Sequence, residues 1–460
     1  MTEPDHFEAK VRDLGADIFR IMGREQPSAF NRRGISGKLM EWSMGKPELK
    51  VNMFRLVDVL PTLKSAKSVA RHVSEYLEKP IADLSPALAV GLKGKPGILR
   101  SALTSSIVKF SVHEMARQFI AGESPAKALK ALRQLRDEGM CFTVDLLGEY
   151  CVSEKEAAAY LHRYLEALEV FGREVPKWGS SKPLMPGHPG EISPVCISVK
   201  LSALYSQCGP LNFEKSVAIL GERLAAIARE ALKLNALLYV DAEDSATNPI
   251  IYTVFKNVFS KDEFAAFPYP GIVVQAYAKN SEAVLMDLLK FSKERGAPIA
   301  VRLVKGAYWD FETILSAQNN WPSPLFADKE STDANFEKLS RVLIDNIDLC
   351  LPAFGSHNIR SLSHACCYAE ESRVDKKRYE LQMLYGMAQP IASAFSSKGY
   401  LVRLYVPLGE ILPGMGYLVR RLLENTSNES FLRHTFFEES QIETLLQRPI
   451  SNGLIDSDSA

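Results

Sequence analysis

The sequence has no excess of charge of either sign and no long apolar run, and each absence narrows the choice of function. Lysine plus arginine and aspartate plus glutamate both number 55, so the formal net charge is zero. A neutral chain lacks the electrostatic footprint of nucleic-acid-binding proteins, and we expect no DNA binding. No segment reaches the length of about 18 uninterrupted apolar residues that indicates a membrane-spanning helix.

The seven cysteines show neither the spacing of a zinc site nor that of a disulfide framework. Their number is odd, and the sequence contains no CxxC pair. We therefore interpret them as reduced thiols of the core. The polar start MTEPDHFEAK lacks the basic region and apolar run of a secretory signal, so we expect a cytoplasmic protein.

The first part of the chain has the apolar spacing of α-helices. Apolar residues recur three or four apart near the start and again between Ala66 and Leu77. The run MFRLVDVLP at 53–61 suits an ordered arm or the start of a helix. We predict an N-terminal helical arm over residues 1–60 and an α-helical domain over 61–138.

After Gly139 the pattern changes to short apolar or β-branched runs separated by longer helical stretches. This alternation is typical of βα units around a parallel sheet. Eight such runs predict a closed (β/α)8 barrel over 139–433, followed by a C-terminal tail over 434–460. The predicted strands are Cys141–Leu147, Val195–Leu201, Ala236–Ala242, Gly271–Tyr277, Ile299–Val304, Ala353–His357, Tyr379–Leu384 and Leu401–Val406.

Polar residues cluster where these strands end, the position at which barrels of this type hold their active sites. Buried polar groups cost stability unless they are partnered, so a large set favours a large polar ligand. Taken singly, each is explained as well by an ion pair that caps the barrel core. The set comprises Asp145, Glu149, Lys200, Asp241, Glu243, Asp244, Gln275, Tyr277, Arg302, Lys305, His357, Asn358, Glu380, Gln382, Arg403 and Tyr405.

A metal is the weaker interpretation of this set. Asp145, Asp241 and Glu243 could bind one, but only His357 adds an imidazole near a strand end, and three cations stand among them. No GxGxxG motif follows a strand, which disfavours a Rossmann domain.

The segment at 416–425, after the last strand, has helical spacing. It places Tyr417, Arg420, Arg421 and Glu424 three or four residues apart on one side. The two arginines could converge on one carboxylate, with Glu424 steering them and Tyr417 packing alongside. A solvated helix face with modest ion pairs is the alternative.

Four motifs resemble those of the proline dehydrogenase family: VRLVKGAYWD at 301–310, YVDAE at 239–243, SVKLS at 198–202 and YLVRRLLEN at 417–425. The resemblance covers about Met53 to Arg433 and is to the catalytic half of the bifunctional proline utilization A enzymes. It implies a distorted barrel with noncovalently bound FAD. It also implies oxidation of L-proline to Δ1-pyrroline-5-carboxylate, the first step of proline catabolism to glutamate, by hydride transfer from proline C5 to flavin N5.

The resemblance further implies roles for individual residues. Arg420 and Arg421 would bind the proline carboxylate. The catalytic set would be Lys200, Asp241, Arg302, Tyr405, Arg420 and Arg421, and the proline pocket would add Tyr417 with Ala307 and Leu384 as apolar wall. The FAD site would comprise Arg302 near N5, Gln275 near the polar edge of the ring, and Tyr277, Val304, Lys305, Gly306, Ala307, Trp309, Thr332, His357, Asn358, Gln382 and Glu424.

The resemblance has limits and implied partners. Family members often have Thr-Arg-Lys where this chain has Ala327-Asp-Lys329 before Thr332, which affects contacts to the phosphate or adenosine end of FAD. A membrane quinone would accept the electrons, with peripheral contact at the inner membrane. The ribbon-helix-helix DNA-binding domain and the aldehyde dehydrogenase half of some relatives are not expected here. A flavin-free metal enzyme and a non-catalytic proline sensor are the alternatives.

Overall fold

The computed structural model describes residues 3–24, 59, 63, 65–82, 119–179, 193–410 and 439–450. Eight strands in it pair in parallel and in chain order, and the eighth pairs with the first to close a barrel. This confirms the predicted (β/α)8 fold. The strands are β1 (Cys141–Leu146), β2 (Cys196–Val199), β3 (Leu237–Val240), β4 (Gly271–Gln275), β5 (Ile299–Val304), β6 (Cys350–Gly355), β7 (Glu380–Leu384) and β8 (Val402–Leu408).

Helices precede the barrel, surround it and follow it. Two of them belong to the N-terminal region, for which the sequence predicts helices: α1 (Glu3–Arg24) and α2 (Ala66–Ala82). The remaining described helices are α3 (Pro125–Asp137), α4 (Glu154–Glu174), α5 (Phe213–Lys233), α6 (Asn248–Phe259), α7 (Ser281–Arg295), α8 (Trp309–Gln318), α9 (Lys329–Asp345), α10 (Ile359–Glu371), α11 (Gln389–Ser397) and α12 (Glu439–Leu445). None of these described helices is long and apolar enough to cross a membrane.

Of the eight strands only β5 has its predicted bounds; five are shorter than predicted, and β6 and β8 extend beyond their predicted bounds. β6 begins at Cys350, three residues before the predicted start at Ala353, although a proline at 352 removes a ladder donor. The strand tolerates it because the first three positions pair with β5, while pairing with β7 begins only at Ala353. β8 continues to Leu408, since Pro407 and Leu408 still pair with the end of β1.

Strand alternation divides the core into two layers. In β1, Val144 and Leu146 point outward into the large apolar layer between barrel and helices, whereas Thr143 and Asp145 point inward. The barrel axis holds a small apolar cluster of Cys196, Leu237, Tyr239, Ala300, Leu351 and Ala353. We call these six residues the barrel floor.

Helix α1 packs on the outside of the barrel against α10 and α11. Phe7 and Val11 contact Cys367 of α10, and Ile18 enters the outer apolar layer. A buried ion cluster adds to this contact: Arg360 of α10 binds Glu8 of α1 at 2.6 Å and Glu337 of α9 at 2.9 Å. Arg360 also donates to the backbone carbonyl of Leu446. The α1 helix is thereby joined to the barrel by charge as well as by apolar burial.

All seven cysteines lie among the described residues as free thiols, six of them buried. The proposed arm at 53–61 falls outside the described residues except for Val59. The predicted division at residue 60 therefore stays a prediction.

Candidate active site at the mouth of the barrel

Four polar side chains meet where β1, β2 and β3 end. Lys200 directly follows β2, and its Nζ lies 2.5 Å from Asp145 Oδ1 and 3.2 Å from Asp241 Oδ2. The ammonium also donates to the phenol oxygen of Tyr405 at 2.8 Å, and that phenol lies 2.6 Å from Asp241 Oδ2 as a donor. We call Asp145, Lys200, Asp241 and Tyr405 the mouth cluster.

Arg302 of β5 joins the mouth cluster to the barrel wall. Its Nη1 donates to Asp241 Oδ1 at 2.8 Å, and its Nη2 donates to Ser198 Oγ at 3.0 Å. The guanidinium carbon lies 4.2 Å from the centre of the Tyr239 ring, a cation–π distance. Two cations and two carboxylates therefore balance each other in a largely buried site.

The environment sets the protonation states of the cluster. Burial raises the pKa of Asp145 to about 6, although the Lys200 charge opposes this shift. For Lys200 burial acts to lower the pKa, but the Asp145 carboxylate, the phenol oxygen of Tyr405 and the Asp241 carboxylate outweigh it and hold the pKa well above its usual value. Burial, reinforced by the Asp145 and Asp241 charges, also raises the pKa of Tyr405 well above its usual value. At neutral pH Lys200 is cationic and the phenol carries its proton.

The sequence pattern explains why these groups converge. Ser198 and Lys200 alternate with outward-facing Ile197 and Val199, so both polar side chains face the barrel interior. The sequence analysis gave Ser198 no role of its own. Its position two residues before Lys200 on a strand was the available signal.

Glu380 and Arg403 do not lie at the mouth, which corrects their predicted placement at strand ends. Glu380 is the first residue of β7 and Arg403 the second of β8, so both side chains sit deep in the barrel. Arg403 Nε lies 2.8 Å from Glu380 Oε1, and its Nη1 donates to the carbonyl of Phe142. Gln382 donates to the same Glu380 oxygen at 2.6 Å. The Glu380–Arg403 pair is a structural ion pair beneath the site.

The ends of β5 and β6 meet through a second charged group. Lys305 Nζ lies 2.5 Å from Asp333 Oδ1 of α9, and Asn358 Nδ2 donates to Asp333 Oδ2 at 3.1 Å. Asn358 also caps α10, because its side chain accepts a hydrogen bond from the backbone N–H of Ser361. Asp333 is thus a bridging residue to which the sequence analysis gave no separate role.

His357 brings the ends of β6 and β7 together. Its Nε2 accepts a hydrogen bond of 2.9 Å from the backbone N–H of Leu384. Two residues that the sequence assigns to different parts of the site are therefore direct neighbours.

Gly306 allows the loop after β5 to pass directly over an aromatic ring. Its φ is +136°, and a Cβ built there would lie 2.4 Å from the Tyr277 ring. Tyr277 is fixed in turn, since its hydroxyl donates to Glu312 Oε1 at 2.9 Å. Ala307 and Trp309 follow on the exposed side of the loop, and Trp309 Nε1 donates to the carbonyl of Phe326.

Two other predicted cofactor residues are bonded to the protein itself. Gln275 accepts from Asn248 Nδ2 at 2.9 Å and donates to the carbonyl of Glu243 at 3.1 Å. Thr332 donates to the carbonyl of Asp328 in the first turn of α9. Val304, the last residue of β5, is half-buried.

The polar atoms that remain free at this end of the barrel fit a large polar cofactor such as FAD. Within the described chain, Arg302 Nε and Gln382 Oε1 are buried atoms without a hydrogen-bond partner. Buried polar atoms of this kind ordinarily have a partner. Both atoms belong to residues that the sequence analysis assigns to the flavin.

The suggested metal ligands do not assemble. Glu243 is bonded to the backbone N–H and hydroxyl of Ser202. No group of three or more His, Cys, Asp or Glu side chains suited to a metal occurs among the described residues. The suggested carboxylate clamp at 417–424, with Tyr417, Arg420, Arg421 and Glu424, lies outside the described residues.

Two family models match the chain. The model described as proline dehydrogenase matches residues 128–434, and the proline utilization A N-terminal domain matches residues 8–119. The first match contains the whole barrel and the clamp segment.

The relatives fall into long and short proteins. "Bifunctional protein PutA" of Escherichia coli K12 is 28% identical over 95% of this chain, which covers 32% of that protein. The same-named protein of Rhizobium meliloti is 30% identical over 78% of this chain. "Proline dehydrogenase 1" of Bacillus subtilis subsp. natto is 26% identical over 69% of this chain and 89% of its own length. The chain thus spans about a third of the length of the relatives matched first.

A solved structure supports the fold over nearly the whole chain. Proline utilization A from Bdellovibrio bacteriovorus, inactivated by N-propargylglycine, superposes with a TM-score of 0.85 and 38% identity, covering 98% of this chain and 44% of that one. A proline utilization A structure with proline bound in remote sites has a TM-score of 0.71 at 24% identity, which supports the fold alone.

Proposed function

The chain belongs to the proline dehydrogenase family, and from that premise we propose that it oxidises L-proline to Δ1-pyrroline-5-carboxylate with bound FAD. The observation that carries this proposal is the mouth cluster with Arg302. Lys200, Asp241 and Arg302, which lie in three different family motifs, converge there within hydrogen-bond distance. With Asp145 and Tyr405 they combine fixed cations, carboxylates and a protonated phenol at the largely buried mouth of the barrel.

The chain's own residues would bind and orient the substrate. Lys200, Asp241 and Tyr405 would face the proline ring, while Leu384 and Ala307 would form its apolar wall. A fixed orientation accelerates a transfer reaction because the reacting atoms are already held at a suitable distance and angle. In this role the mouth cluster would orient proline and would form no covalent bond to it.

The carboxylate of proline would bind Arg420 and Arg421. Two guanidinium groups give paired, charge-assisted hydrogen bonds to one carboxylate, which fixes both distance and angle. Tyr417 would pack beside the ring, and Glu424 would connect this helix to the cofactor.

FAD would supply the acceptor for the hydride from proline C5. Arg302 would place a positive charge beside N5, and Gln275, Tyr277, Val304 and Gln382 would contact other parts of the cofactor. The orphaned Arg302 Nε and Gln382 Oε1 supply free hydrogen-bonding capacity for this contact. The rest of the site would be formed by Lys305, Gly306, Ala307, Trp309, Thr332, His357 and Asn358.

The electrons would pass to a membrane quinone through peripheral contact with the inner membrane. Proline oxidation releases two electrons, and a lipid-soluble acceptor would have to be reached at a membrane surface. Oxidation of the reduced protein by a water-soluble quinone, followed optically, tests this part separately.

An absorption spectrum recorded without oxygen tests the proposal as a whole. L-proline should bleach the visible flavin bands of the purified protein. Tetrahydrofuran-2-carboxylate, which has oxygen in place of the ring nitrogen, should bind without bleaching them. A yellow protein that proline does not bleach would contradict the substrate, and a protein that cannot take up FAD would contradict the cofactor.

A further inference from the structure

Asp145 is the most deeply buried charged group of the mouth cluster. Its residue exposure is 1%, against 6% for Asp241 and 9% for Lys200. The groups that face it come from four elements: Lys200 after β2, Asp241 after β3, Tyr405 in β8 and Tyr164 in α4. Tyr164 is itself held in place, since its hydroxyl accepts the backbone N–H of Lys200 at 3.2 Å.

The two carboxylates of the cluster are held unequally. Asp241 binds Lys200 at 3.2 Å and Arg302 at 2.8 Å, and it also accepts from the phenol of Tyr405. Asp145 binds Lys200 at 2.5 Å, and Lys200 is its single ion-pair partner among the described residues. A carboxylate with fewer cations around it has the higher proton affinity. Of the two, Asp145 is therefore the better proton acceptor.

Oxidation of proline requires such an acceptor. Free proline carries an ammonium nitrogen at neutral pH, and its lone pair must be released before hydride can leave C5. The ammonium would approach Lys200, which is already cationic and repels it. For the proline ammonium and Lys200 to lie side by side, one of these two cations has to lose a proton.

We propose that Asp145, acting through Lys200, takes up the proton that proline loses from its ring nitrogen. The inference rests on the proposed function. The substrate N–H proton passes to Lys200 Nζ as Lys200 passes one of its own protons to Asp145 Oδ1. The substrate ammonium becomes a neutral amine, Asp145 becomes a carboxylic acid, and Lys200 ends as the same ammonium. Asp145 does not touch the substrate, so it is a positioning residue and proton store.

The electrostatics of the site agree with this direction. Burial raises the pKa of Asp145 to about 6, so at neutral pH it is ionised yet close to protonation. Tyr405 cannot compete, because burial and the nearby carboxylates hold the pKa of its phenol well above the usual range. Asp241 is bound by a second cation, Arg302, which Asp145 lacks.

Infrared difference spectroscopy of the FAD-bound protein, with and without L-proline under anaerobic conditions, tests this directly. A carboxylic acid C=O band should appear on adding proline and should shift when the protein carries 13C-labelled aspartate. This measurement needs no substitution. In a wild type that proline bleaches, absence of a labelled band would overturn the role of Asp145 and leave the proposed function intact. A wild type that does not bleach would overturn both.

Substitution identifies the aspartate. Asp145→Asn should abolish the band, lower the rate of flavin reduction by proline about 100-fold and remove the ionisation limb of its pH profile. The dissociation constant of tetrahydrofuran-2-carboxylate, which has no N–H proton, should change less than about threefold. Asp287→Asn, which removes the carboxylate from a lysine–aspartate pair between α6 and α7, should keep both the band and the ionisation limb. A band that persists in Asp145→Asn, or a rate lowered equally at every pH, would reduce Asp145 to a structural partner of Lys200.

Discussion

Single residues of the mouth cluster differ in how many partners depend on them. Asp241 contacts Lys200, Arg302 and Tyr405 at once, so its charge fixes three other side chains. Ser198, by contrast, shares its hydroxyl between Arg302 and Thr143 and carries no charge. The arrangement of the cluster therefore depends most on Asp241 and on Lys200, which also has three partners.

Asp241→Asn should lower the rate of flavin reduction by proline about 100-fold, because a displacement of about 1 Å in Lys200 and Arg302 is enough for such a loss. Stopped-flow absorbance under anaerobic conditions measures the rate, and the flavin-to-protein ratio shows whether FAD is retained. Asp287→Asn, which removes the carboxylate from the Lys256–Asp287 pair between α6 and α7, is the control and should react normally. Unchanged kinetics in Asp241→Asn would make the Lys200–Asp241 pair merely structural.

At the scale of elements, the loop after β5 depends on one close contact. Gly306 lies against the Tyr277 ring, whose hydroxyl is tied to Glu312 of α8. Because the ring is fixed, it has little freedom to move aside for a residue larger than glycine at position 306.

Gly306→Ala should destabilise the protein by about 1–3 kcal/mol and weaken FAD binding, because the new methyl overlaps the Tyr277 ring. Gly296→Ala is the control: this glycine ends α7 with φ of +72° and has open space around it, so only backbone strain of about 1 kcal/mol is expected. Urea midpoints and FAD titration give the two quantities. Equal effects in both variants would refute the overlap.

The sequence predicted where the strands lie along the chain better than it predicted how deep their side chains lie in the barrel. Short apolar or β-branched runs between helical stretches located all eight strands, since this pattern is local. The start of β6 was predicted too late because this part of the strand contains Pro352. A proline is tolerated there because the position pairs with β5 and not with β7, which the sequence alone does not show. Glu380 and Arg403 were placed at the mouth because alternation tells which side chains face inward but not how far along the barrel they lie.

For a similar reason, the sequence alone could not predict which residues of the site contact each other. Asp145 and Lys200 are 55 positions apart, and their contact at 2.5 Å depends on the register of β1 against β2. Residue types at strand ends indicated a polar site, whereas the partners of each group required the closed barrel.

At the scale of the whole molecule, Arg360 joins three parts of the chain. It binds Glu8 of α1, Glu337 of α9 and the carbonyl of Leu446, and it is 3% exposed. Breaking a buried pair leaves uncompensated charge, which is costly.

Arg360→Met should lower the free energy of unfolding by about 3–5 kcal/mol and make α1 sensitive to limited proteolysis. Lys10→Met removes the surface pair with Glu371, also between α1 and α10, and should change the urea midpoint little. Urea unfolding compares the two variants. If both lose the same small amount, the buried cluster does not hold α1.

The same ion cluster predicts a pH dependence of stability. Although burial opposes the charge of Glu337, His364 and Arg360 hold its pKa at about 2, below the usual 4.5. A depressed pKa stabilises the fold above about pH 4.5 and loses that contribution as the pH falls toward 2, by about 3 kcal/mol in all. Glu337→Gln should flatten this part of the profile of urea midpoints. A variant as steep as wild type would assign the acid sensitivity elsewhere.

The barrel floor also determines how small molecules can reach and leave the site. Cys196, Tyr239 and their neighbours fill the axis, and the Glu380–Arg403 pair adds a second closed level in which Arg403 is fully buried. The filled axis closes the far end of the barrel to a small molecule bound beside Lys200. On the proposed function, product would therefore leave through the same mouth by which proline enters, and a product that leaves slowly would block new substrate directly.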